Sequence, residues 1–183
     1  MNDIYCIIVC YNPEIISLSK LCLVILESNS KIIIVDNTDC SYIKKELSGF
    51  DANIIILNEN LGMAKAQNIG IQFAIQKGAE VVVFFDQDSE IENDFIPKLT
   101  APLENNPLMV VSPVFFDKKN GFRFPSMRLN KFGLLEKIRT KHLSEPYDVD
   151  VIISSGSATT KKIFDIVGLM NEDYFIDFVD TEW

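Results

Sequence analysis

Val81-Val82-Val83-Phe84-Phe85-Asp86-Gln87-Asp88 is a run of five apolar residues that ends in two carboxylates spaced by one residue. An apolar run without polar alternation marks a strand buried on both faces, as in a parallel sheet covered by helices. Three similar runs precede it: Ile4 to Val9, Ile32 to Val35 and Ile54 to Leu57. Helical patterns separate them. Asn12-Pro13 offers an N-cap and a first-turn proline ahead of Leu18, Leu21, Cys22 and Ile25. Ser41 to Leu47 suits a short helix, and Asn60 to Gln76 a longer one closed by Gly78. Strand, helix, strand, helix predicts an α/β fold with a mostly parallel central sheet and right-handed crossovers.

The second half is less regular. Asp94 to Leu103 reads as a short helix, Val110-Val111 and Val151 to Ile153 as strands, and the residues after Thr160 as a helix stopping at Gly168. With 183 residues, 48% of them hydrophobic, the chain is expected to form one domain with a sizeable core. The net charge of −9 argues against general nucleic-acid binding, which needs a positive footprint. No segment approaches the ~20 apolar residues of a membrane span. Met1-Asn2-Asp3 lacks a basic leader, so a cytoplasmic location is expected. Cys6, Cys10, Cys22 and Cys40 form no CxxC pair, and His142 is the sole histidine. Reduced, mostly buried thiols are therefore expected in place of a Cys/His zinc site.

The chemistry gathers at strand ends. In a parallel sheet, ligands sit at the carboxyl ends of the strands. Side chains two apart on an extended chain point the same way, so Asp86 and Asp88 are able to share a hard cation such as Mg²⁺ or Mn²⁺. A plain strand-to-helix turn is the alternative. Val35 runs into Asp36-Asn37, and the first strand ends in Cys10-Tyr11-Asn12, so three strand ends bring polar groups to one edge. Asp36 suits either a hydrogen bond from a base or ribose or an Asx turn. Asn60 suits a helix cap, and Gly62 lets backbone approach a ligand closely.

These stretches match a family in order along nearly the whole chain. They are Ile8-Val9-Cys10-Tyr11-Asn12, Val35-Asp36-Asn37, Asn60-Leu61-Gly62-Met63-Ala64-Lys65-Ala66-Gln67-Asn68-Ile69-Gly70, Phe85-Asp86-Gln87-Asp88-Ser89, Ser154-Ser155-Gly156-Ser157 and Phe175 to Trp183. The chain resembles the family 2 glycosyltransferases of GT-A fold, within them the rhamnosyltransferase-like branch. The resemblance implies a single catalytic domain over 1–183, with a nucleotide-sugar-binding half (1–110) and an acceptor-side half (111–183). It implies that Tyr11 and Asp36 hold base and ribose, and that Asn60, Gly62 and Lys65 line the donor pocket. Asp86 would contact ribose or sugar, Asp88 would bind the metal on the diphosphate, and Ser155 and Gly156 would lie beside the sugar or acceptor. Asp180 would be the general base of an inverting transfer; an acidic helix start is the alternative for the cluster Asp177, Asp180 and Glu182. The implied donor is a dTDP- or UDP-sugar, with rhamnose foremost, and the implied acceptor a glycan or lipid-linked hydroxyl in cell-surface polysaccharide synthesis. Family members usually continue beyond the base motif, so the chain is expected to be truncated at its C-terminal end.

Two other function classes compete. A phosphohydrolase of the haloacid dehalogenase type also carries DxD after an apolar strand, but at the first strand of its core, whereas Asp86 follows three earlier strands. A nucleotide-sugar-binding fragment without catalysis is the third reading. A nicotinamide-binding domain is disfavoured, because no GxGxxG follows the first strand. Lys118, Lys119, Arg123, Arg128, Lys131, Lys137, Arg139 and Lys141, against Glu136, give residues 118–142 a local charge of +7, with Phe122, Phe124 and Phe132 interleaved. This segment suits an acceptor-side loop facing anionic lipid at the inner membrane face, or a solvated loop balancing an acidic domain.

Overall fold

The structure, a computed structural model, describes residues 3–117, 121–138 and 145–183. Its elements run β1 (Ile4–Cys10), α1 (Ile15–Glu27), β2 (Lys31–Asp36), α2 (Ile43–Glu46), β3 (Ala52–Ile56), α3 (Met63–Gln76), β4 (Val81–Asp86), α4 (Phe95–Asn105) and β5 (Val110–Val111). Then come β6 (Phe116–Asp117), β7 (Phe122–Arg123), β8 (Ser126–Leu129), β9 (Leu135–Ile138), β10 (Ala158–Thr160), α5 (Lys161–Val167) and α6 (Val179–Glu182). Six strands form the central sheet in the order β3-β2-β1-β4-β10-β5. β3, β2, β1 and β4 are parallel, while β10 runs antiparallel to both β4 and β5.

The alternation of β1 shows why its residues are apolar throughout. Cys6, Ile8 and Cys10 pack to one side with Leu18, Leu21, Cys22 and Ile25 of α1. Tyr5, Ile7 and Val9 pack to the other with Ala64, Ala66, Ile71 and Ala74 of α3. Both faces are covered, so each fully buried Ile of β1 and β2 contributes roughly 1.5–3 kcal/mol of transfer free energy. α3 lies so close to β1 that a Cβ on Gly70 would stand 2.6 Å from Ile7 Cγ2.

Several local expectations are corrected. Asn12 is not the cap of α1. It sits at φ +48° and donates its N–H to Thr38 Oγ1 (2.9 Å), as a turn residue. Glu14 caps the helix, its carboxylate accepting from Ile16 N (3.1 Å) and Ser17 N (2.6 Å). Those bonds hold its carboxyl below the usual range. Asn60 is likewise not the cap of α3; Gly62 occupies that position, at φ +83° and ψ 169°. Val151 makes a single bridge to Met127, and the anticipated strand through Ile153 does not form. The strand in that region is instead β10, whose three residues are fully buried or nearly so.

Among the described residues, all four cysteines are free and Cys6, Cys10 and Cys22 are buried. Burial pushes the thiols of Cys6 and Cys10 far up and that of Cys22 to about 11. No described helix is long and apolar enough to cross a membrane. Within the basic segment, Arg123, Arg128, Lys131 and Lys137 lie on or beside the β6–β7 and β8–β9 ribbons. Lys118, Lys119, Arg139, Lys141 and His142 fall outside the described residues.

Candidate active site

The register of the parallel strands builds the site. Cys10 pairs with Asp36 and Val9 with Asp86, so β2, β1 and β4 end side by side. Asp36 is fully buried. Its Oδ1 accepts the N–H of Thr38 (3.2 Å), which is the Asx turn, while its Oδ2 is buried with no partner. A buried carboxylate oxygen left unpaired is costly, so that atom is poised for a donor that the protein does not supply. Asn37 next to it organises the entry to α3. Its Oδ1 accepts from Leu61 N (2.8 Å), and its Nδ2 donates to Asn60 Oδ1 (2.9 Å) and Gly62 O (3.3 Å). Asn60 Oδ1 also accepts from Gly62 N (3.1 Å), so Asn60 shapes the loop two residues before the helix.

β4 ends at Asp86, and Asp88 follows in the turn that Ser89 N–H closes on Asp86 O (3.1 Å). Ser155 Oγ accepts the N–H of Asp86 (3.3 Å) and lies 3.4 Å from Ser89 Oγ. Ser154 to Ser157 form the tight turn that leads into β10. Gly156 sits at φ +70° and donates to Phe84 O (2.7 Å), while Ser157 N donates to Ser154 O (2.8 Å). Asp180, in the first turn of α6, accepts the N–H of Ser154 through Oδ2 (2.9 Å). Asp180 thus reaches the same turn that supports Asp86. The carboxyl of Asp86 is pushed above its usual value, first by desolvation and then by the negative charges of Asp88 and Asp180, with hydrogen bonding from Ser155 acting the other way.

The segment before α6 closes the site from the opposite side. Phe175 O accepts from Met63 N (2.6 Å), and a Cβ on Gly62 would stand 2.6 Å from that same oxygen. Asn68, buried in α3, grips Met170 with both ends of its amide: Nδ2 donates to Met170 O (2.8 Å) and Oδ1 accepts from Met170 N (2.9 Å). Trp183 stacks on Phe164 at 5.4 Å and donates Nε1–H to Gly168 O (2.9 Å). Phe178, 68% exposed, takes φ +66°, a conformation unusual for a bulky residue, directly before α6.

Between these walls lies a cleft of about 340 Å³. Tyr11, Asn60, Gly62, Asp86 and Asp88 line it, together with Asn37, Met63, Gln87, Phe175 and Ile176. Asp36, the last residue of β2, does not line the cleft, nor do Ser155, Gly156 and Asp180, which meet it through the Asp86 N–H bond to Ser155 and the Ser154 N–H bond to Asp180. Lys65 departs from expectation: it points to Glu172 (3.8 Å) and does not line the cleft. Sequence reasoning missed roles for Asn37 and Gln87. Gln87 accepts Tyr11 N–H at Oε1 (2.7 Å) and donates from Nε2 to Tyr11 O (3.2 Å). Its signal was present, as the alternate residue between two carboxylates.

A parallel sheet with paired carboxylates at its switch edge defines a class, and the family comparison agrees. The model of glycosyl transferase family 2 matches residues 5–167, and the chain belongs to this family. The chain is 43% identical over all of its 183 residues to dTDP-rhamnosyl transferase RfbF of Shigella flexneri, and it spans 62% of that protein. It is 24% identical over 161 residues to low-salt glycan biosynthesis hexosyltransferase Agl10 of Haloferax volcanii, covering 84% of this chain and 52% of that one. Among solved structures, S. aureus TarS superposes with a TM-score of 0.66 at 16% identity, over 98% of this chain and 32% of TarS. TarS 1–349 in complex with UDP-GlcNAc gives 0.61 at 18% identity, over 92% and 48%. The fold is therefore GT-A, and the phosphohydrolase alternative falls.

Proposed function

We propose that the chain is the donor-binding and catalytic part of an inverting hexosyltransferase, which moves rhamnose from dTDP-rhamnose, or a related sugar from a UDP donor, to a glycan or lipid-linked hydroxyl in cell-surface polysaccharide synthesis. The observation that carries this reading is the cleft where the ends of β1 and β4 set Tyr11 beside Asp86 and Asp88, in a chain 43% identical end to end to a dTDP-rhamnosyl transferase. In it, residues 1–110 are the donor half and residues 111–183 the acceptor-side half.

Tyr11, Asn60, Gly62, Asp86 and Asp88 take their tasks from the cleft wall, and Asp36, Ser155, Gly156 and Asp180 from beside it. Tyr11, half exposed at the mouth, stacks on the base. The unpartnered Oδ2 of Asp36 takes a hydrogen bond from the nucleoside once the cleft fills. Asn60 and Gly62 shape the wall, and Asp86 meets the ribose or the sugar. Ser155, whose Oγ accepts the Asp86 N–H, and Gly156 lie beside the sugar or acceptor. Lys65, turned to Glu172, serves the wall indirectly. Asp180 removes the proton of the acceptor hydroxyl as the new bond forms opposite the departing diphosphate.

The donor set fits a divalent ion. Asp88, with Asp86 beside it in the cleft wall, offers hard oxygen ligands that would hold such a cation. Among the described residues, no three His, Cys, Asp or Glu side chains are grouped to hold an ion alone. That suits Mg²⁺ or Mn²⁺, which bind through one or two carboxylates plus substrate phosphates. Bound there, such an ion supplies charge neutralisation on the diphosphate. Calorimetry with dTDP and UDP, with Mn²⁺ or with EDTA, tests the reading. Binding strengthened by Mn²⁺ and weakened by Asp88→Ala is expected; equal affinity in EDTA overturns the metal assignment, and no nucleotide binding overturns the whole.

The same reading places the protein in the cytoplasm, at the inner membrane face. The β8–β9 ribbon supports this part of the proposal. Phe132 (75% exposed), Leu134 and Leu135 stand out at its tip, beside Arg128, Lys131 and Lys137. An apolar tip set among cations suits an anionic lipid surface.

A further inference from the structure

We infer that Gln87 is a positioning residue that ties Tyr11 to the carboxylate turn, so that the two ends of a nucleoside diphosphate are gripped by one rigid unit. The inference rests on the donor-site reading above. β4 ends at Asp86, and the turn that follows, closed by Ser89 N–H on Asp86 O at 3.1 Å, points the Gln87 amide toward Tyr11. That direction brings its amide to the end of β1, where the ladder has run out: Cys10 is the last residue of β1 to pair with β2, and Val9 the last to pair with β4. The Tyr11 peptide groups, beyond the last rung, are taken up by one side chain, with Tyr11 N–H on Oε1 at 2.7 Å and Nε2–H on Tyr11 O at 3.2 Å. The next residue is pinned from the other side, Asn12 N–H on Thr38 Oγ1 at 2.9 Å.

The chemistry of the position explains an amide between two acids. The paired bonds need one acceptor and one donor, which glutamine provides and glutamate lacks. A carboxylate there would face the Tyr11 carbonyl and add a third negative charge beside Asp86 and Asp88. An asparagine is one methylene too short to reach from the same backbone. The tyrosine that stacks on the base is therefore placed by the turn that carries Asp86 and Asp88, and the base end and diphosphate end of the cleft are not independent.

The test is a double-mutant cycle read by calorimetry with Mn²⁺ present, using dTDP, UDP and pyrophosphate as probes. Gln87→Leu keeps the bulk and removes both bonds. It is expected to weaken nucleoside diphosphate binding by about threefold to tenfold, the worth of the lost bonds. Pyrophosphate, which engages only the carboxylate end, is expected to bind unchanged. On a Tyr11→Ala background, Gln87→Leu is expected to cost less than about twofold more, because the two residues act as one. A merely structural role would weaken all the probes alike and add fully to Tyr11→Ala; either result overturns the inference. Unchanged dTDP and UDP binding by Gln87→Leu also overturns it, with the donor-site reading intact. If the unmutated chain binds neither nucleotide, the donor-site reading itself falls and takes the role of Gln87 with it.

Discussion

Replacing Gly62 by alanine tests how the cleft wall is held. Gly62 occupies φ +83° and ψ 169°, a region that is nearly exclusive to glycine, and a side chain there costs ~1–3 kcal/mol. The added Cβ would also lie 2.6 Å from Phe175 O and 2.8 Å from Phe175 Cδ2. A backbone oxygen cannot swing aside as a side-chain tip does. The 170–178 segment must retreat, and the Met63 N–H bond to Phe175 O is lost, for roughly 1 kcal/mol more. The lower entropy of the unfolded alanine variant returns ~0.4–1 kcal/mol. The net loss is about 1–3.6 kcal/mol, or ~2–14 °C in Tm for a domain of this size. Thermal and urea unfolding measure it. Gly78→Ala is the control: it shares a positive φ (+90°), but nothing lies within 4 Å of its Cβ. The difference between the two variants reports the contact with Phe175 together with the extended ψ of Gly62. A Gly62→Ala protein that melts with Gly78→Ala would refute the reasoning, since the wall would then not rest on this close approach.

The carboxyl of Asp86 is raised, so the folded state holds its proton more tightly than the unfolded chain does. Its charge therefore costs stability above the raised value and costs nothing below the ordinary 3.8. Asp86→Asn should accordingly be more stable than the unmutated chain near neutrality, and the advantage should vanish in urea melts as pH falls below that range. Asp180→Asn should lower sugar transfer by ~10²–10⁴-fold while donor affinity holds; a larger loss for Asp177→Asn or Glu182→Gln would relocate the base. If the β8–β9 tip meets membrane, sedimentation with anionic vesicles should exceed that with neutral ones, decline as salt rises and drop in Phe132→Ser with Lys131→Glu. Equal sedimentation with neutral and anionic vesicles would leave the ribbon a solvated one.

The parallel half of the fold was legible because burial on both faces leaves a plain mark, an apolar run such as Ile32 to Val35. Where a single polar atom makes the decision, sequence reasoning slipped. Asn12 and Glu14 both suit a helix start, and the choice fell to Thr38, which draws Asn12 into a turn. β10 was missed because it has only three residues after a serine-rich turn, and its place in the sheet depends on β4 and β5, not on its own pattern. The strand-end carboxylates were readable as the polar end of an apolar run, but β4 stops at Asp86, so Asp88 is placed by the turn that was the alternative and not by a two-residue strand repeat. The direction of Lys65 was not, because its partner Glu172 is more than 100 positions away and a long flexible side chain follows its charge. Asn68 stood within a quoted motif, yet its grip on Met170 belongs to tertiary structure.

The late arrival of β10 has a consequence for how the chain is made. β4 ends at Asp86, but the strand that covers its free side begins only at Ala158. While the residues between them are being synthesised, β3, β2, β1 and β4 can already associate, leaving Val81 to Phe85 as an uncovered hydrophobic edge. Such an edge is a template for strands of other nascent chains. The antiparallel closure is therefore a race between intramolecular capture of Ala158-Thr159-Thr160 and capture by a neighbour. Slower translation through residues 87–157, or crowding of several ribosomes on one message, would lengthen the exposure and shift the yield from folded protein to aggregate.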